Sequence, residues 1–239
     1  MLTIKSFVFN PVQENTYVLS DQKDACCIID PGCYFGPERT ELQEYIEQQG
    51  LTPKILLNTH CHLDHVFGNK FVYETWDLPL HLHEKERPVL EAAAAMGLEW
   101  DLPFENYRGE LIDLRPGELV SLRRGRVRTR PNLEAPADAG EVLGDEARTE
   151  EDVLTVLFLP GHSPGSVGFY CAAQGFLIGG DVLFREGIGR TDLSGGDHDS
   201  LLRSIREELW ALPDDTVVFP GHGEPTTIGW ERANNPFLK

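Results

Sequence analysis

Residues 59–65 read Thr-His-Cys-His-Leu-Asp-His, and this run of potential metal ligands directly follows a short apolar segment. In an extended or turning backbone, alternate side chains share one side, so His60, His62 and Asp64 can converge while His65 begins the next element. Neutral imidazole and carboxylate are common ligands of Zn²⁺, and they also bind Fe and Mn. The motif therefore predicts a metal site at the end of a strand.

Three further candidate ligands, His162, Asp181 and His222, each follow an apolar strand-like segment and lie in a turn that contains Gly. A strand that ends in Pro or Gly presents its next side chain at the edge of a sheet, where several such ends can meet in one cleft. With the first motif they give five histidines and two aspartates. We expect these side chains to form one site.

The number of candidate ligands indicates two metal ions. A catalytic zinc ion takes three protein ligands plus water, so this set overfills one centre and suits two centres that share a bridge. Asp181 is the natural bridge, because its carboxylate has two oxygens. The expected assignment gives the first ion His60, His62 and His162, and the second ion Asp64, His65 and His222.

Such a centre predicts the hydrolysis of an acyl compound. Metal ions lower the pKa of water from about 16 to about 7, which supplies a metal-bridging hydroxide as the nucleophile. The remaining positive charge would stabilise an anionic tetrahedral intermediate. Asp64 and Asp181 are the expected catalytic carboxylates, and zinc is the expected metal, with iron or manganese as alternatives.

A second motif competes with this interpretation. Residues 161–165 read Gly-His-Ser-Pro-Gly, which matches the nucleophile elbow of serine hydrolases. That elbow requires a helix after the serine, whereas Pro164 and a strand-like segment follow here. A metal-dependent hydrolase is therefore favoured over a serine hydrolase.

The apolar and turn-forming residues predict two strand-rich halves with helices between them. Strands are expected at residues 2–9, 16–20, 26–29, 55–58, 78–82, 153–159, 166–171, 176–178 and 217–219. Helices are expected at residues 38–49, about 64–76, 84–96 and 199–212. Two sheets packed together with helices outside would form a single domain over residues 1–239.

Residues 123–152 differ from their surroundings, because arginines at their start are followed by many acidic residues and few apolar ones. This composition is typical of an insertion that contains an edge hairpin and a loop. The loop is either a lid that helps to hold an anionic substrate or a solvated excursion with no role in binding.

The composition narrows the choice of partners. Acidic residues outnumber basic ones by 39 to 21, and the net charge of −18 argues against a nucleic-acid substrate. No stretch approaches the roughly 20 apolar residues of a membrane span, so we expect a cytoplasmic protein that does not bind a membrane. The five cysteines lack the spacing of a disulfide framework and are expected to be reduced, with Cys61 facing away from the metal.

Several other histidines and tryptophans are expected to have structural positions. His81 and His83 are two residues apart, as in the first motif, but they lie at a strand-to-helix junction and are expected to be structural or at the surface. Trp76, Trp100 and Trp210 are expected to pack in the core or against helices rather than to contact a substrate.

Five segments carry a resemblance to a known family, at residues 59–65, 160–168, 179–181, 187–192 and 220–223. The sequence resembles the metallo-β-lactamase superfamily, and within it the hydroxyacylglutathione hydrolase (glyoxalase II)-like branch. The resemblance implies an α+β fold, the four-layer αββα sandwich, with a dinuclear site at the edge between the sheets. It also implies that Arg190 and Asp192 belong to a supporting loop near the site.

The resemblance also indicates the type of substrate. Antibiotic-hydrolysing members commonly have Cys at the position of Asp181, so a hydrolase of a small thioester or ester is expected here, with a glutathione thioester as one candidate. Glyoxalase II enzymes carry a further helical domain that binds glutathione. Only residues 223–239 follow His222, and this tail resembles the short, single-domain bacterial members instead.

Two other functions remain open. A persulfide dioxygenase resembles this chain in the first motif and in Gly-Ile-Gly-Arg-Thr-Asp, but it would use one Fe(II) ion held by His60, His162 and Asp181. The presence of His222 in a Pro-Gly-His-Gly turn favours two metals. A non-enzymatic metal-binding protein is the lower alternative, and the complete ligand set argues against it.

Overall fold

The computed structural model describes residues 1–129 and 153–239, and within these residues the strands form two large sheets and a small hairpin. The first sheet has the order β1 to β6 and consists of β1 Thr3–Phe9, β2 Glu14–Ser20, β3 Ala25–Ile29, β4 Thr52–Leu57, β5 Leu80–His83 and β6 Leu111–Leu114. Strands β1 to β3 are antiparallel. Strands β3 to β6 are parallel, because helical connections return the chain to the same end of the sheet.

The second sheet is built from strands later in the chain. It has the order β15-β14-β11-β10-β9-β7-β8 and consists of β7 Leu119–Ser121, β8 Arg126–Arg128, β9 Val153–Phe158, β10 Val167–Cys171, β11 Phe176–Gly180, β14 Val217–Pro220 and β15 Thr226–Thr227. The small hairpin pairs β12 Leu183–Phe184 with β13 Gly187–Ile188. The expected division into two strand-rich halves is therefore confirmed.

The two large sheets pack face to face through their apolar sides. Every residue of β2 and β3 is buried, as in strands that are covered on both faces. Leu19 and Ile29 of the first sheet and Val156 and Phe169 of the second belong to one cluster of buried side chains. This cluster forms the core between the sheets.

Helices cover the outer faces of both sheets. The described helices are α1 Gly36–Gln48, α2 Leu63–Val66, α3 Asn69–Trp76, α4 Arg87–Glu99, α5 His198–Ser204 and α6 Ile228–Asn234. Leu42, Val72 and Leu90 attach α1, α3 and α4 to the first sheet, whereas Leu201 and Ile228 attach α5 and α6 to the second. The result is the expected four-layer αββα sandwich.

Most predicted elements are confirmed with small shifts at their ends, but the single helix expected at about residues 64–76 is wrong. The chain instead forms α2 and α3, with a break at residues 67–68. The N–H of Gly68 donates to the Pro31 carbonyl, and a Cβ at this position would collide with Cys33. This close approach requires glycine and separates the two helices.

Two other expected helices are not regular throughout. The helix expected at residues 84–96 begins as a 3₁₀ turn, Glu84–Glu86, and continues as α4. The helix expected at residues 199–212 is α5 followed by a π-helical turn at Ile205–Leu209. Hydrophobic periodicity alone does not distinguish these helix types.

The expected insertion at residues 123–152 lies only partly within the described residues. Arg126–Arg128 forms β8, which pairs with β7 at the edge of the second sheet and supplies the expected edge hairpin. The loop for which a lid or a solvated excursion is expected falls at residues 130–152, outside the described residues.

The cysteines and helices agree with two further expectations. All five cysteines belong to the described residues, and no disulfide joins them. Cys61 packs in the core between the first sheet and its helices, as expected for a side chain that faces away from the ligands. Among the helices of the two described ranges, none has the length and apolar character needed to cross a membrane.

Candidate metal centre

The candidate ligands meet at one edge of the sandwich, because the loops that carry them follow strand ends. Residues 58–62 connect β4 to α2, whereas His162, Asp181 and His222 follow β9, β11 and β14 closely. Since β11 and β14 are parallel neighbours, their ends present Asp181 and His222 at the same edge. Gly161 adopts a φ of 137°, which favours glycine, and lies directly against α5.

The first group of candidate ligands consists of His60, His62 and His162, which are all buried. His62 Nδ1 lies 2.8 Å from His162 Nε2, and His60 Nε2 lies 3.2 Å from the same atom. Three ring nitrogens that face one another in this way define a common centre for a cation.

The second group consists of Asp64, His65 and His222. Asp64 Oδ2 lies 3.1 Å from His222 Nε2 and 3.6 Å from His65 Nε2. This group is nearer to solvent than the first, because Asp64 and His222 are only partly buried. The structure thus brings the candidate side chains together in two sets, and a third potential metal group, formed by Asp30, His60 and His65, overlaps both.

Asp181 lies between the two groups. Its Oδ2 is 3.5 Å from both His162 Nε2 and His222 Nε2, and its Oδ1 is 3.5 Å from His65 Nε2. Gly221 makes this placement possible, since a Cβ at that position would overlap Asp181 Oδ1. One carboxylate therefore faces both groups.

Hydrogen bonds on the far side of two rings fix which nitrogen faces the centre. Nδ1 of His162 donates to the Arg190 carbonyl oxygen at 2.8 Å. Nδ1 of His222 lies 3.2 Å from the carbonyl oxygens of Val12 and Gln13. In the neutral form of each ring, which has one N–H, Nε2 therefore carries a free lone pair toward the centre.

Asp30 is a buried carboxylate that supports both groups from behind. Its oxygens accept the N–H of Thr59 at 2.7 Å and Nδ1–H of His65 at 3.2 Å. The Thr59 hydroxyl also donates to Asp30, which leaves the hydroxyl oxygen to accept from His60 Nδ1 at 3.1 Å. Asp30 therefore orients His65 directly and His60 through Thr59.

Glu86 is a second buried carboxylate, and it joins two ligand loops. Its Oε2 accepts the N–H of Cys61 at 2.8 Å, and its Oε1 accepts the Ser163 hydroxyl at 2.6 Å and the Gly165 N–H at 2.7 Å. Burial raises the pKa of Glu86, and these hydrogen bonds oppose the rise. Cys61 lies within the first motif, and Ser163 directly follows His162. Because Glu86 binds both loops, it fixes the distance between them.

The protonation states of the first group suit a cation, whereas the carboxylates of Asp64 and Asp181 outweigh burial and raise the pKa values of His65 and His222 in the second group. Burial lowers the pKa of His62 to about 3, and it also lowers the pKa values of His60 and His162, so these rings are neutral at pH 7. Burial alone would raise the pKa of Asp181, but the neighbouring histidines, His65 foremost, lower it. Neutral imidazoles and an ionised carboxylate are the forms that bind a divalent ion.

Two buried polar atoms test whether metal ions fit these residues. Within the described residues, His65 Nε2 and Asp181 Oδ1 are buried and have no hydrogen-bond partner. A buried polar atom without a partner destabilises the folded protein by about 1–3 kcal/mol, and coordination to a cation would remove that cost. The facing Nε2 atoms of His60 and His162 also repel each other unless a cation lies between them. The residues therefore fit metal ions in both groups.

A cavity of about 510 Å³ opens over the two groups. Its floor includes Asp64 and Asp181, and its walls are mainly apolar. Arg190 lies in the lining, and its guanidinium donates to both carboxylate oxygens of Asp192, at 2.7 and 2.8 Å. The loop expected to support the site therefore does so through the Arg190 carbonyl and also borders the cavity.

Trp100 corrects one expectation from the sequence. It lies at the C-terminal end of α4, is 47% exposed and lines the cavity, so its expected position in the core is wrong. Trp76 and Trp210 are partly buried against the core clusters, as expected. The position of Trp100 depends on how α4 meets the ligand loops, which the sequence around it does not show.

The other two clustered histidines are structural. His81 and His83 are buried, and His81 Nδ1 lies 3.1 Å from the Leu56 carbonyl oxygen. The His83 ring stacks on Phe158, with ring centroids 4.6 Å apart. Neither histidine belongs to a potential metal group among the described residues, so the structural part of the expectation is confirmed and a surface position is wrong.

Sequence reasoning missed Asp30 and Glu86. Asp30 had a usable signal, because it follows the buried strand β3 and precedes Pro31-Gly32, the same strand-end pattern as the distant ligands. Glu86 had no such signal, since acidic residues are common at the start of helices.

Comparison with known sequences places this chain in a family. The family model of the metallo-beta-lactamase superfamily matches residues 9–222. The chain is 38% identical to the probable metallo-hydrolase YqgX of Bacillus subtilis, over 95% of this chain and 93% of that protein. It is 35% identical to hydroxyacylglutathione hydrolase GloC of Haemophilus influenzae, again over 95% and 93%.

Solved structures show the same similarity. BLEG-1, a B3 metallo-beta-lactamase, superposes with a TM-score of 0.78 and 33% identity, over 99% of this chain and all of that chain. TTHA1623 in a di-iron-bound form superposes with the same TM-score and identity, over 98% of this chain and all of that chain. Similar folds thus occur in a β-lactamase and in a di-iron protein.

Proposed function

This chain belongs to the metallo-β-lactamase superfamily as a metallo-hydrolase, and from that premise we propose that it hydrolyses a small thioester or ester in the manner of glyoxalase II. The observation that carries the proposal is the pair of His/Asp groups joined by Asp181 beneath an open cavity. The 35% identity to GloC supports a thioester as the substrate.

The residues would hold two divalent ions, one in each group. When bound, such ions activate water and polarise a carbonyl oxygen. Zinc suits the imidazole and carboxylate donors, and iron suits them equally, as the di-iron form of TTHA1623 illustrates for a similar fold.

The chain itself supplies orientation and proton transfer. Asp64 and Asp181 have lowered pKa values, because the histidines around them outweigh the effect of burial, and both remain ionised at neutral pH. Asp64 lines the cavity, where the carboxylate oxygen that does not face the second group can accept a proton from an attacking water molecule. Asp30 and Glu86 hold the ligand loops during the reaction.

Two alternatives are distinguished by particular residues. A mononuclear iron dioxygenase would need only His60, His162 and Asp181, so the complete second group favours a hydrolase. β-Lactam hydrolysis is the second candidate, because BLEG-1 is 33% identical over nearly the whole chain. The presence of Asp rather than Cys at position 181 does not exclude β-lactam hydrolysis. This activity is therefore included among the assays.

The test measures thiol release from S-lactoylglutathione by the zinc- or iron-loaded protein, with nitrocefin as a β-lactam and glutathione persulfide with oxygen uptake as a dioxygenase probe. We expect chelator-sensitive thiol release that is lost in His162→Ala. His198→Ala is the matched control, because His198 is exposed and lies outside both groups.

The proposal fails if the fully metallated protein releases no thiol from any thioester. Oxygen uptake with the persulfide, or nitrocefin hydrolysis alone, would assign the site to one of the alternatives. Metal analysis of each sample ensures that a negative result reflects chemistry rather than missing ions.

A further inference from the structure

The walls of the cavity are apolar on several sides. The apolar side chains that line it are Val12, Leu63, Met96, Trp100, Phe184, Ile188 and Leu193. The Phe184 ring lies 6.4 Å from the His222 ring, so the apolar wall extends down to the ligands. A substrate bound over the ligands would therefore lie against apolar surface.

Away from the two metal groups, the charges in the lining do not favour an anionic part of a substrate. Among the described residues that line the cavity, Arg190 is the only Lys or Arg, and Asp192 neutralises it through two hydrogen bonds. The carboxylates of Asp64 and Asp181 are needed by the metal ions. The net charge of −18 adds a repulsive field for anions.

A neighbouring groove of about 230 Å³ borders the cavity, and the two share the lining residues His62, Leu63, Met96 and Leu193. This groove is lined by further apolar residues, including Pro88 and Val89. Its cation, Lys85, lies over the Phe158 ring at 5.2 Å. Lys85 is the only Lys, Arg, Asp or Glu among the described lining residues of the groove, so an apolar chain longer than an acetyl group could extend past Met96 along its apolar residues.

We propose that the cleft selects thioesters whose acyl group is apolar and uncharged and lies against Trp100 and Met96. Such thioesters are preferred to those that carry the charged glutathione moiety. This inference rests on the proposed thioesterase function and adds the class of substrate. Water oxygen bonds to the carbonyl carbon, the C–S bond breaks and one water proton is transferred to sulfur. The products are a carboxylate, a thiol and a proton.

The experiment uses the metal-loaded full chain and three thioesters: phenylacetyl- and acetyl-N-acetylcysteamine, and S-lactoylglutathione. Each kcat/KM is divided by the rate of alkaline hydrolysis of the same compound, which removes differences in intrinsic reactivity. Burial of an aromatic group should favour the phenylacetyl over the acetyl compound by roughly tenfold or more. We also expect the corrected kcat/KM of the phenylacetyl compound to exceed that of S-lactoylglutathione.

Two tryptophan variants test the location of the apolar subsite. Trp100→Ala should reduce the phenylacetyl-to-acetyl ratio by roughly threefold to tenfold. Trp230→Ala is the matched control and should leave the ratio unchanged, because Trp230 is similarly exposed, at 44%, and does not line the cavity. If Trp100→Ala does not fold, Met96→Ala provides the same test.

The possible failures are distinguishable. If no thioester is hydrolysed, the proposed function itself is wrong. If thioesters are hydrolysed but the corrected ratio is close to one, or S-lactoylglutathione is preferred, only the apolar specificity is overturned. A ratio that Trp100→Ala and Trp230→Ala reduce equally would also overturn the location of the subsite.

Discussion

The floor of the cleft is held by directional hydrogen bonds, whereas its walls are held by packing. In the floor, His162 is oriented by a backbone carbonyl and His65 by Asp30. In the wall, Trp100 is about half exposed at the end of a helix. The difference separates two requirements, because ligand geometry must be exact for chemistry while an apolar surface can accept substrates of several shapes. Substitutions in the floor should therefore cost more than substitutions in the walls.

The largest effect is expected for Asp181→Asn. The amide preserves size but removes the negative charge that faces both ligand groups. Because loss of a residue behind the ligands already costs about 10- to 100-fold, loss of a shared ligand should reduce kcat/KM by at least about 100-fold. Metal analysis should show fewer ions per chain. As a control, Asp199→Asn changes an exposed aspartate on α5 and should retain the wild-type kcat/KM and metal content. An active Asp181→Asn protein with full metal content would refute the bridging role.

Asp30→Asn should have the next largest effect. An amide in place of this carboxylate cannot accept all the hydrogen bonds from Thr59 and His65. The side chains of both metal groups would therefore be oriented less precisely. The expected loss of metal affinity is about 10- to 100-fold, measured by competition with a chromophoric chelator. Asp113→Asn changes an exposed carboxylate paired with Arg87 and serves as the control. Unchanged affinity would show that the ligands are held without Asp30.

Glu86→Gln sharpens the comparison within the floor, because Glu86 contacts the loops of the first group alone. The amide retains one oxygen and turns an NH₂ toward one of its former donors, so we expect about a tenfold fall in kcat/KM. Metal in the second group should be retained. Glu84→Gln alters an exposed neighbour and controls for the loss of charge. A loss of both metals would instead indicate a general weakening of the fold, which the unfolding temperature would confirm.

The smallest effect is expected for Phe184→Ala in the wall. This side chain contributes apolar surface above the second group, so its removal should raise KM roughly threefold to tenfold for an apolar thioester. The metal content should not change. Phe237→Ala removes an exposed phenylalanine outside the cavity lining and provides the control. A fall in metal content for Phe184→Ala would break the distinction between floor and walls.

The sequence predicts the floor better than the walls, for a physical reason. Strands such as Ala25–Ile29 and Phe176–Gly180 are short, buried and followed by turn-forming residues, so their ends can be located from local patterns. The two-sheet sandwich follows from the order of these strands and of the amphipathic segments between them. The candidate ligands are predicted from their positions at those strand ends.

The parts that the sequence does not predict depend on distant contacts. Glu86 meets Ser163 and Gly165 only after the two halves of the chain have packed together. The break between α2 and α3 arises because Gly68 touches Pro31 and Cys33, which belong to another segment. Trp100 reaches the cavity through the placement of α4. None of these contacts leaves a periodic signal in its own stretch of sequence.

The hydrogen bond from His162 to the Arg190 carbonyl has a consequence for mutational scanning. Every amino acid offers the same main-chain oxygen, so replacing the Arg190 side chain leaves this contact chemically intact. A mutational scan would detect only the role of the guanidinium in the cleft. It would not detect the hydrogen bond by which the carbonyl oxygen of residue 190 orients the imidazole. An amide-to-ester replacement between residues 190 and 191, which weakens that oxygen as an acceptor, would reveal the hidden contribution.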